Sequence, residues 1–412
     1  MAFLKSSKIR NQLKLLLEEY TRLSDGKIEF NHLDPVIDKA RALEISNRYE
    51  RQIDQNCLFI EIQGKAKKLT ETDLLDESGR FFTGEDAITS AMLAVTEIKP
   101  KTVYLIAGKG KLKSVNTRSA DKELINLSKK QFFNLKELTL GNITKIPDDA
   151  DSLILINPET DFNLSEVSIL TKYWEEKRGS MVLLLNPSTD MPNFYPFLRS
   201  LGVRVDNEYR MLFSETTGIG GAQKVYTLQS KILSANPITS SDGGKITTFA
   251  GQTCPLSIAE DNEILSSKGI VATPLLEADP KFWGDLNHTE SYPKQSDEDV
   301  LPNPNPIYVA AMVEKGGSED ESIKINSSRL VVVANSTLLD PMPTKLNVEF
   351  VMNSINWTID RQDRIGINPT HSTNFKINMS AEKYQTLFYL VVCIIPISAL
   401  LFGIATWSAR RN

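Results

Sequence analysis

Two short runs, "SLILINP" at 152–158 and "SMVLLLNP" at 180–187, do most to limit the folds open to this chain. A strand turns successive side chains to opposite faces, so a run that is apolar at every position needs cover on both sides. Leu164 to Lys177, between the two runs, has helical spacing. Asn163 with Glu166 three residues later forms a capping box, in which each residue satisfies a free amide of the other's end of the turn. Strand, capped helix, strand is a βα unit, and such units in series build a mostly parallel sheet covered by helices.

The same alternation precedes it. Ile9 to Leu23 places Leu13, Leu16, Leu17 and Tyr20 at helical spacing, and "KIEFNHL" then alternates as a strand does. Ala40 to Tyr49 reads as helix, "CLFIEI" as strand, "GEDAITSAMLAVTEI" as helix, and "TVYLIAG" as a strand running into glycine. Downstream, Phe194 to Leu201 is helical and "GVRV" extended. Tyr209 to Lys268 breaks into short strands with Gly, Ser and Asn turns, as in "SSDGGKITTFAG". "PIYVAAMVE" and "RLVVVAN" are late strands, followed by a helix over "LNVEFVMNSINWTID".

The expected class is α/β, with two tandem βα-alternating domains at 1–145 and 146–370. The second carries a long polar, proline-rich insertion near 285–306. With 412 residues, 41% of them hydrophobic, the chain is long enough for each domain to bury a core. Its net charge of −5, with basic residues dispersed, leaves no footprint for nucleic acid.

The end of the chain differs in kind. From Leu387 to Trp407 there is no charge, and at 1.5 Å per residue a helix there spans the about 30 Å of a bilayer interior. The expectation is a juxtamembrane linker at 371–386, a transmembrane helix at 387–407 that Pro396 would kink, and a basic tail at 408–412. Trp407, Arg410 and Arg411 are placed as interface anchors, and the two arginines favour a cytoplasmic C-terminus over Lys376 and Lys383 on the other side. Ala399 and Gly403 form a small-xxx-small pair, the candidate packing contact for a second helix.

Few groups suit catalysis or metal binding. Cys57, Cys254 and Cys393 have no metal or disulfide spacing, and His32, His288 and His371 lie far apart. "AGKGKLKS" at Gly108 is rich in glycine and lysine but lacks the spacing of a phosphate loop, so a strand-end turn is the reading. The strand ends offer Lys109, Asn157 and Asn186, with no cysteine at any of them, and Cys57 reads as core. Asp34-Pro35, Glu159, Asp161 and Asn335 read as turn and cap residues. No catalytic residue, cofactor or metal site is assigned, and the chain is expected not to be an enzyme.

In order along the chain, "LLLEEYTRLSDGKIEFNHLDP", "FFTGEDAITSAMLAVTEIKPKTVYLIAGKGK", "ADSLILINPETDFNLSEVSILTKYWEEKRGSMVLLLNP", "SRLVVVANS", "NVEFVMNSINWTIDRQDRIGI" and "IIPISALLFGIATWSARR" resemble the auxiliary, substrate-binding-like subunits of gliding-motility-type ABC transporters, the GldG-like family. The resemblance implies that the second domain is amidotransferase-like, similar to a domain of intraflagellar transport proteins. It also implies a bacterial inner-membrane location, soluble domains on the extracytoplasmic side, and ABC permease and ATPase subunits as partners. It supplies no catalytic residues. The chain departs from the family's pattern at Gly108, Lys109, Gly110 and Lys111, where a Gly-His-Gly-Glu-like turn is usual, and at Ala334, Asn335 and Ser336, where Gly-Asp-Ser is usual. Family members also carry an N-terminal span, so the resemblance implies a truncated start or a span on a neighbouring chain. Two other readings stay open: an extracytoplasmic carbohydrate- or ligand-binding module of hydrolase-like descent, and a cytoplasmic tail-anchored scaffold.

Overall fold

The computed structural model describes residues 2–361 apart from 4–8, 35–36, 50–56, 63, 76–81, 97–99, 110–119, 218–220, 260–261, 293, 317–326 and 340–342. All of these belong to one compact unit, Met1–Pro369. The expected linker, transmembrane helix and tail, with Ala399, Gly403, Trp407, Arg410 and Arg411, lie outside the described residues. Among the described residues no helix is long and apolar enough to cross a membrane.

The chain begins with a small sheet. Strands β1 (Ala2–Phe3), β2 (His32–Leu33), β3 (Cys57–Ile62) and β4 (Lys65–Thr70) pair in the order β2-β1-β3-β4. Helices α1 (Arg10–Leu23), α2 (Lys39–Tyr49) and α3 (Gly84–Thr96) accompany it. Leu13 and Leu17 of α1 and Ile88, Ala91 and Val95 of α3 bury against Leu58, Ile60 and Leu69 of the strands, following the helical spacing of the first segment. Of "KIEFNHL" only His32–Leu33 forms a strand.

The rest builds one large mixed sheet and a separate three-stranded antiparallel one over Arg210–Thr217, Gly221–Val225 and Trp283–Asp285. Its parallel half comprises β5 (Thr102–Ile106), β6 (Asn134–Leu138), β7 (Ser152–Ile156), β8 (Ser180–Leu184) and the late strand "RLVVV". The connecting helices are α4 (Ala120–Gln131) between β5 and β6, and α5 (Leu164–Glu176) between β7 and β8. After β8 come α6 (Tyr195–Ser200), β9 (Val203–Val205), β10 (Arg210–Thr217), β11 (Gly221–Val225), β12 (Leu228–Ile232), β13 (Ile246–Phe249), β14 (Leu256–Ile258) and α7 (Glu263–Ser267). Then follow β15 (Ile270–Ala278), β16 (Trp283–Asp285), β17 (Tyr308–Lys315), β18 (Ser328–Val333) and α8 (Lys345–Thr358). The main path runs β13-β12-β15-β17-β18-β8-β7-β5-β6, with β9 and β14 attached beside β17.

Two expectations change here. The sheet is parallel only from β18 to β6: between Tyr209 and Lys315 the five-residue α7 is the one helix among the described residues, too short for a parallel crossover, and the strands pair antiparallel. The division expected at 145 runs through this sheet, since β5 hydrogen-bonds to β6 on one side and β7 on the other.

Both faces of the parallel half are covered, as the uninterrupted apolar runs require. Leu105, Ile154, Val182 and Val331 point to one face, beneath Leu124 and Leu127 of α4 and Phe350, Val351 and Ile355 of α8. Tyr104, Leu153, Met181 and Leu330 point to the other, beneath Leu170 and Trp174 of α5 and Leu198 of α6. Each such side chain contributes about 1.5–3 kcal/mol by leaving water. The capping box forms as read: Asn163 Oδ1 accepts from the Glu166 amide at 2.9 Å, and Glu166 Oε2 accepts from the Asn163 amide at 2.8 Å.

Candidate functional site at the carboxyl edge of the sheet

In open α/β sheets ligands sit outside the carboxyl ends of the strands, where the strand order reverses. The chain leaves β5 for β6, then returns past β5 to β7, so that point lies between β5 and β7. Gly108, at φ +82°, turns the chain out of β5, and Asn157, at φ +50°, turns it out of β7. Glycine adopts this left-handed backbone freely, and asparagine tolerates it better than most residues.

Lys109 occupies the crevice. Its carbonyl accepts the amides of Glu159 at 2.6 Å and Thr160 at 3.2 Å, stitching the two strand-end loops together. Its ammonium meets Glu166 Oε2 at 2.6 Å, donates to the Asp161 carbonyl at 3.0 Å, and lies 5.0 Å from the Phe162 ring centroid. Lys109 and Glu166 side chains are only 14% and 6% exposed, so this is a desolvated ion pair. A phosphate-binding lysine needs a free ammonium, and this one is held by the first turn of α5. The turn reading of "AGKGK" holds for Gly108 and Lys109, while Gly110 and Lys111 lie outside the described residues.

A second polar cluster ties β8 and β18 to the loops that follow them. Arg210, 6% exposed, donates from Nε to Gln252 Oε1 (3.0 Å), from Nη1 to the carbonyls of Asn207 (2.6 Å) and Tyr209 (2.8 Å), and from Nη2 to the Pro187 carbonyl (2.8 Å). These acceptors are neutral, and burial holds the guanidinium pKa below its ordinary value. Ser188 Oγ joins at Gln252 Oε1 (2.9 Å). Asn335, fully buried, donates to the carbonyls of Ala250 (3.0 Å) and Gln252 (3.1 Å) and to Thr253 Oγ1 (2.9 Å), while its Oδ1 accepts the Thr337 amide at 2.7 Å.

The titratable groups near this cluster are set by burial. Cys254 is fully buried, and burial pushes its thiol up to about 12, against the lowered pKa a nucleophile needs. Burial likewise raises the Tyr195 phenol, whose hydroxyl donates to the Thr189 carbonyl at 2.9 Å. The His288 imidazole is held below its ordinary value by burial and then by the Arg210 charge. Its Nδ1 is shielded without a hydrogen-bond partner, and its carbonyl accepts from Lys224 (2.8 Å) and Tyr226 (3.2 Å). Lys224 lies 3.6 Å from the buried Asp285. Among the described residues no group of three His, Cys, Asp or Glu side chains is placed to hold a metal ion.

Of the strand-end residues singled out from sequence, Lys109, Asn157 and Asn186 all come to this edge. Asn186 accepts the Ser188 amide at 3.0 Å, and Asp161 accepts the amides of Phe162 (2.7 Å) and Asn193 (2.9 Å), both as turn residues. Cys57 is core, and Asp285, the first residue of the expected polar insertion, instead ends β16 at 1% exposure. Arg210 and Gln252 were not anticipated, since Arg210 meets three backbone carbonyls and Gln252, and Gln252 accepts from Arg210 and Ser188, partners scattered along the chain. Beside this cluster lies a groove of about 640 Å³, lined by segments 204–209, 255–258 and 300–308.

No protein-family model matches the sequence, and no curated protein matches it. Among solved structures, the chain is similar to the mmIFT52 N-terminal domain at 14% identity and a TM-score of 0.42, over 62% of this chain and 97% of that one. It is similar to a ThuA-like protein from Bacteroides uniformis at 12% identity and a TM-score of 0.36, over 64% and 93%. It also matches the exo-beta-1,4-mannosidase Op5Man5 from Opitutaceae bacterium strain TAV5 at 12% identity and a TM-score of 0.28, over 71% and 39%. The mixed α/β fold is established here by the strand pairing itself.

Proposed function

We propose that the chain is a membrane-anchored accessory subunit of an ABC-type transport system, working by contact with permease and ATPase subunits and without chemistry of its own. The observation that carries the reading is the closure of the β5/β7 crevice: Lys109 is paired to Glu166 at 2.6 Å inside the fold, where a catalytic or phosphate-binding group would need to face a ligand. The uncharged run Leu387 to Trp407 supports anchoring, with Trp407, Arg410 and Arg411 at the interface and Ala399 and Gly403 as the helix contact. The soluble part then stands on the extracytoplasmic face of a bacterial inner membrane. Affinity purification from gently solubilised membranes is expected to recover an ABC permease or ATPase. Recovery of neither across several detergents overturns the reading.

A further inference from the structure

β14 joins the edge of β17 just past the end of β18, through the single pair Leu256–Tyr308, and carries β9 on its other edge. The groove of about 640 Å³ lies along this junction, within the about 300–1,000 Å³ typical of binding clefts. Its lining includes Tyr209, Tyr308, Pro255 and Pro306 beside the carboxylates of Asp206 and Glu208. Tyrosines and prolines are rigid, so they present apolar surface with little ordering penalty on binding.

We propose that this groove docks an extended, proline-containing segment of a partner protein that places a basic side chain against Glu208. The proposal rests on the reading of the chain as a protein-contact subunit, and it names the kind of segment recognised.

Three observations lead there. First, three polar side chains of the lining already pair with one another. Arg204 Nε meets Asp206 Oδ1 at 2.6 Å, Ser257 Oγ donates to Asp206 Oδ2 at 2.6 Å, and Arg204 Nη2 donates to Ser257 Oγ at 3.0 Å. A ligand rich in hydroxyls would have to break this triangle to be recognised through it, whereas proline has no N–H and brings a flat apolar ring. Second, grooves lined by aromatic rings are the established receptors of the polyproline II conformation, which is ordered before binding.

Third, the charge is uneven. Arg204 is neutralised by Asp206, while Glu208 is exposed and forms no ion pair among the described residues. The Tyr209 hydroxyl lies in the combined field of Glu208, Asp206 and Asp299, with Arg204 the opposing charge. A cation at this end is attracted both by the carboxylate and by the tyrosine face, and an acidic segment is repelled.

The test uses the full chain in mild detergent and fluorescein-labelled decaproline peptides ending in Arg-Arg or in Glu-Glu, with fluorescence anisotropy as the readout. The Arg-ended peptide is expected to bind at least about tenfold more tightly, and the preference to shrink as salt is raised. Glu208→Lys, at an exposed position, is expected to reverse the preference, and Tyr308→Ser to weaken both peptides, each with an unchanged circular dichroism spectrum. Absence of binding by either peptide, equal binding of the two, or a preference that survives E208K would overturn the proposal. So would binding of cellohexaose or chitohexaose in place of the peptides. A chain that fails these tests but still copurifies with a permease loses the groove's role and keeps the subunit reading; the opposite pattern separates them the other way.

Discussion

Replacing Lys109 tests whether the β5/β7 crevice is structural. In Lys109→Met the methionine fills a similar volume but leaves Glu166, 6% exposed, without its cation at 2.6 Å, and the Asp161 carbonyl without its donor. Breaking one side of a buried pair typically costs about 3–5 kcal/mol. Glu166 keeps the Asn163 amide at 2.8 Å, and Lys109 is 14% exposed, so the cost falls at or just below the lower end of that range, about 2–3 kcal/mol. The double variant K109M/E166Q retains a glutamine able to complete the capping box and buries no lone charge, so it should lie within about 1 kcal/mol of the parent. Urea unfolding followed by circular dichroism reads both, as a shift in midpoint at constant slope. A loss below about 0.5 kcal/mol in K109M, or a double variant less stable than the single one, would refute the argument that this lysine serves the fold.

Asp86 on α3 gives a pH-dependent counterpart: its Oδ1 is shielded without a partner, and burial pushes its carboxyl from an ordinary 3.8 up to about 6. Lys130 and Lys345 oppose that shift and Glu349 and Glu85 add to it. Above the raised value the folded state holds an unfavourable charge, and below the unfolded value both states are protonated, so stability from this group rises as pH falls from about 6 to about 4. Asp86→Asn should therefore stabilise the chain at neutral pH, by at most about 3 kcal/mol and nearer 1–2, with the gain vanishing below about pH 4; a gain independent of pH would contradict the assignment. Cys254, with its thiol raised to about 12 and fully buried, should resist iodoacetamide at pH 8 in the folded chain and react once unfolded in guanidinium, as peptide mass spectrometry would show. Alkylation at equal rates in both states would show that the site is open.

The parallel half of the fold was readable because its signals are local. "SLILI" and "SMVLL" carry the need for cover on both faces within five residues each, and Asn163 with Glu166 fixes the helix start between them. The antiparallel half was visible only as short strands, since their partners lie far along the chain: β12 pairs with β15 across more than forty residues, Ser230 opposite Ala278. The place of β5 between β6 and β7 is hidden for the same reason. Nothing in "TVYLI" distinguishes a strand that ends one sheet from one that sits beside β7 in the middle of another.

At the carboxyl edge, sequence position identified the places but not the roles. Lys109 follows a strand and a glycine, which fits a ligand-binding turn and a structural one equally well; the distinction lies in Glu166, 57 residues away, whose position as third residue of a capped helix aims its carboxylate back at the crevice. The groove is further from view, because Tyr209, Pro255 and Tyr308 come from three segments that meet only when β14 crosses from β9 to β17. The crevice between β5 and β7 is closed by an internal ion pair, while at the groove on the far side of β18 and β8 the exposed Glu208 forms no ion pair among the described residues, which is where the proposed partner would bring its cation.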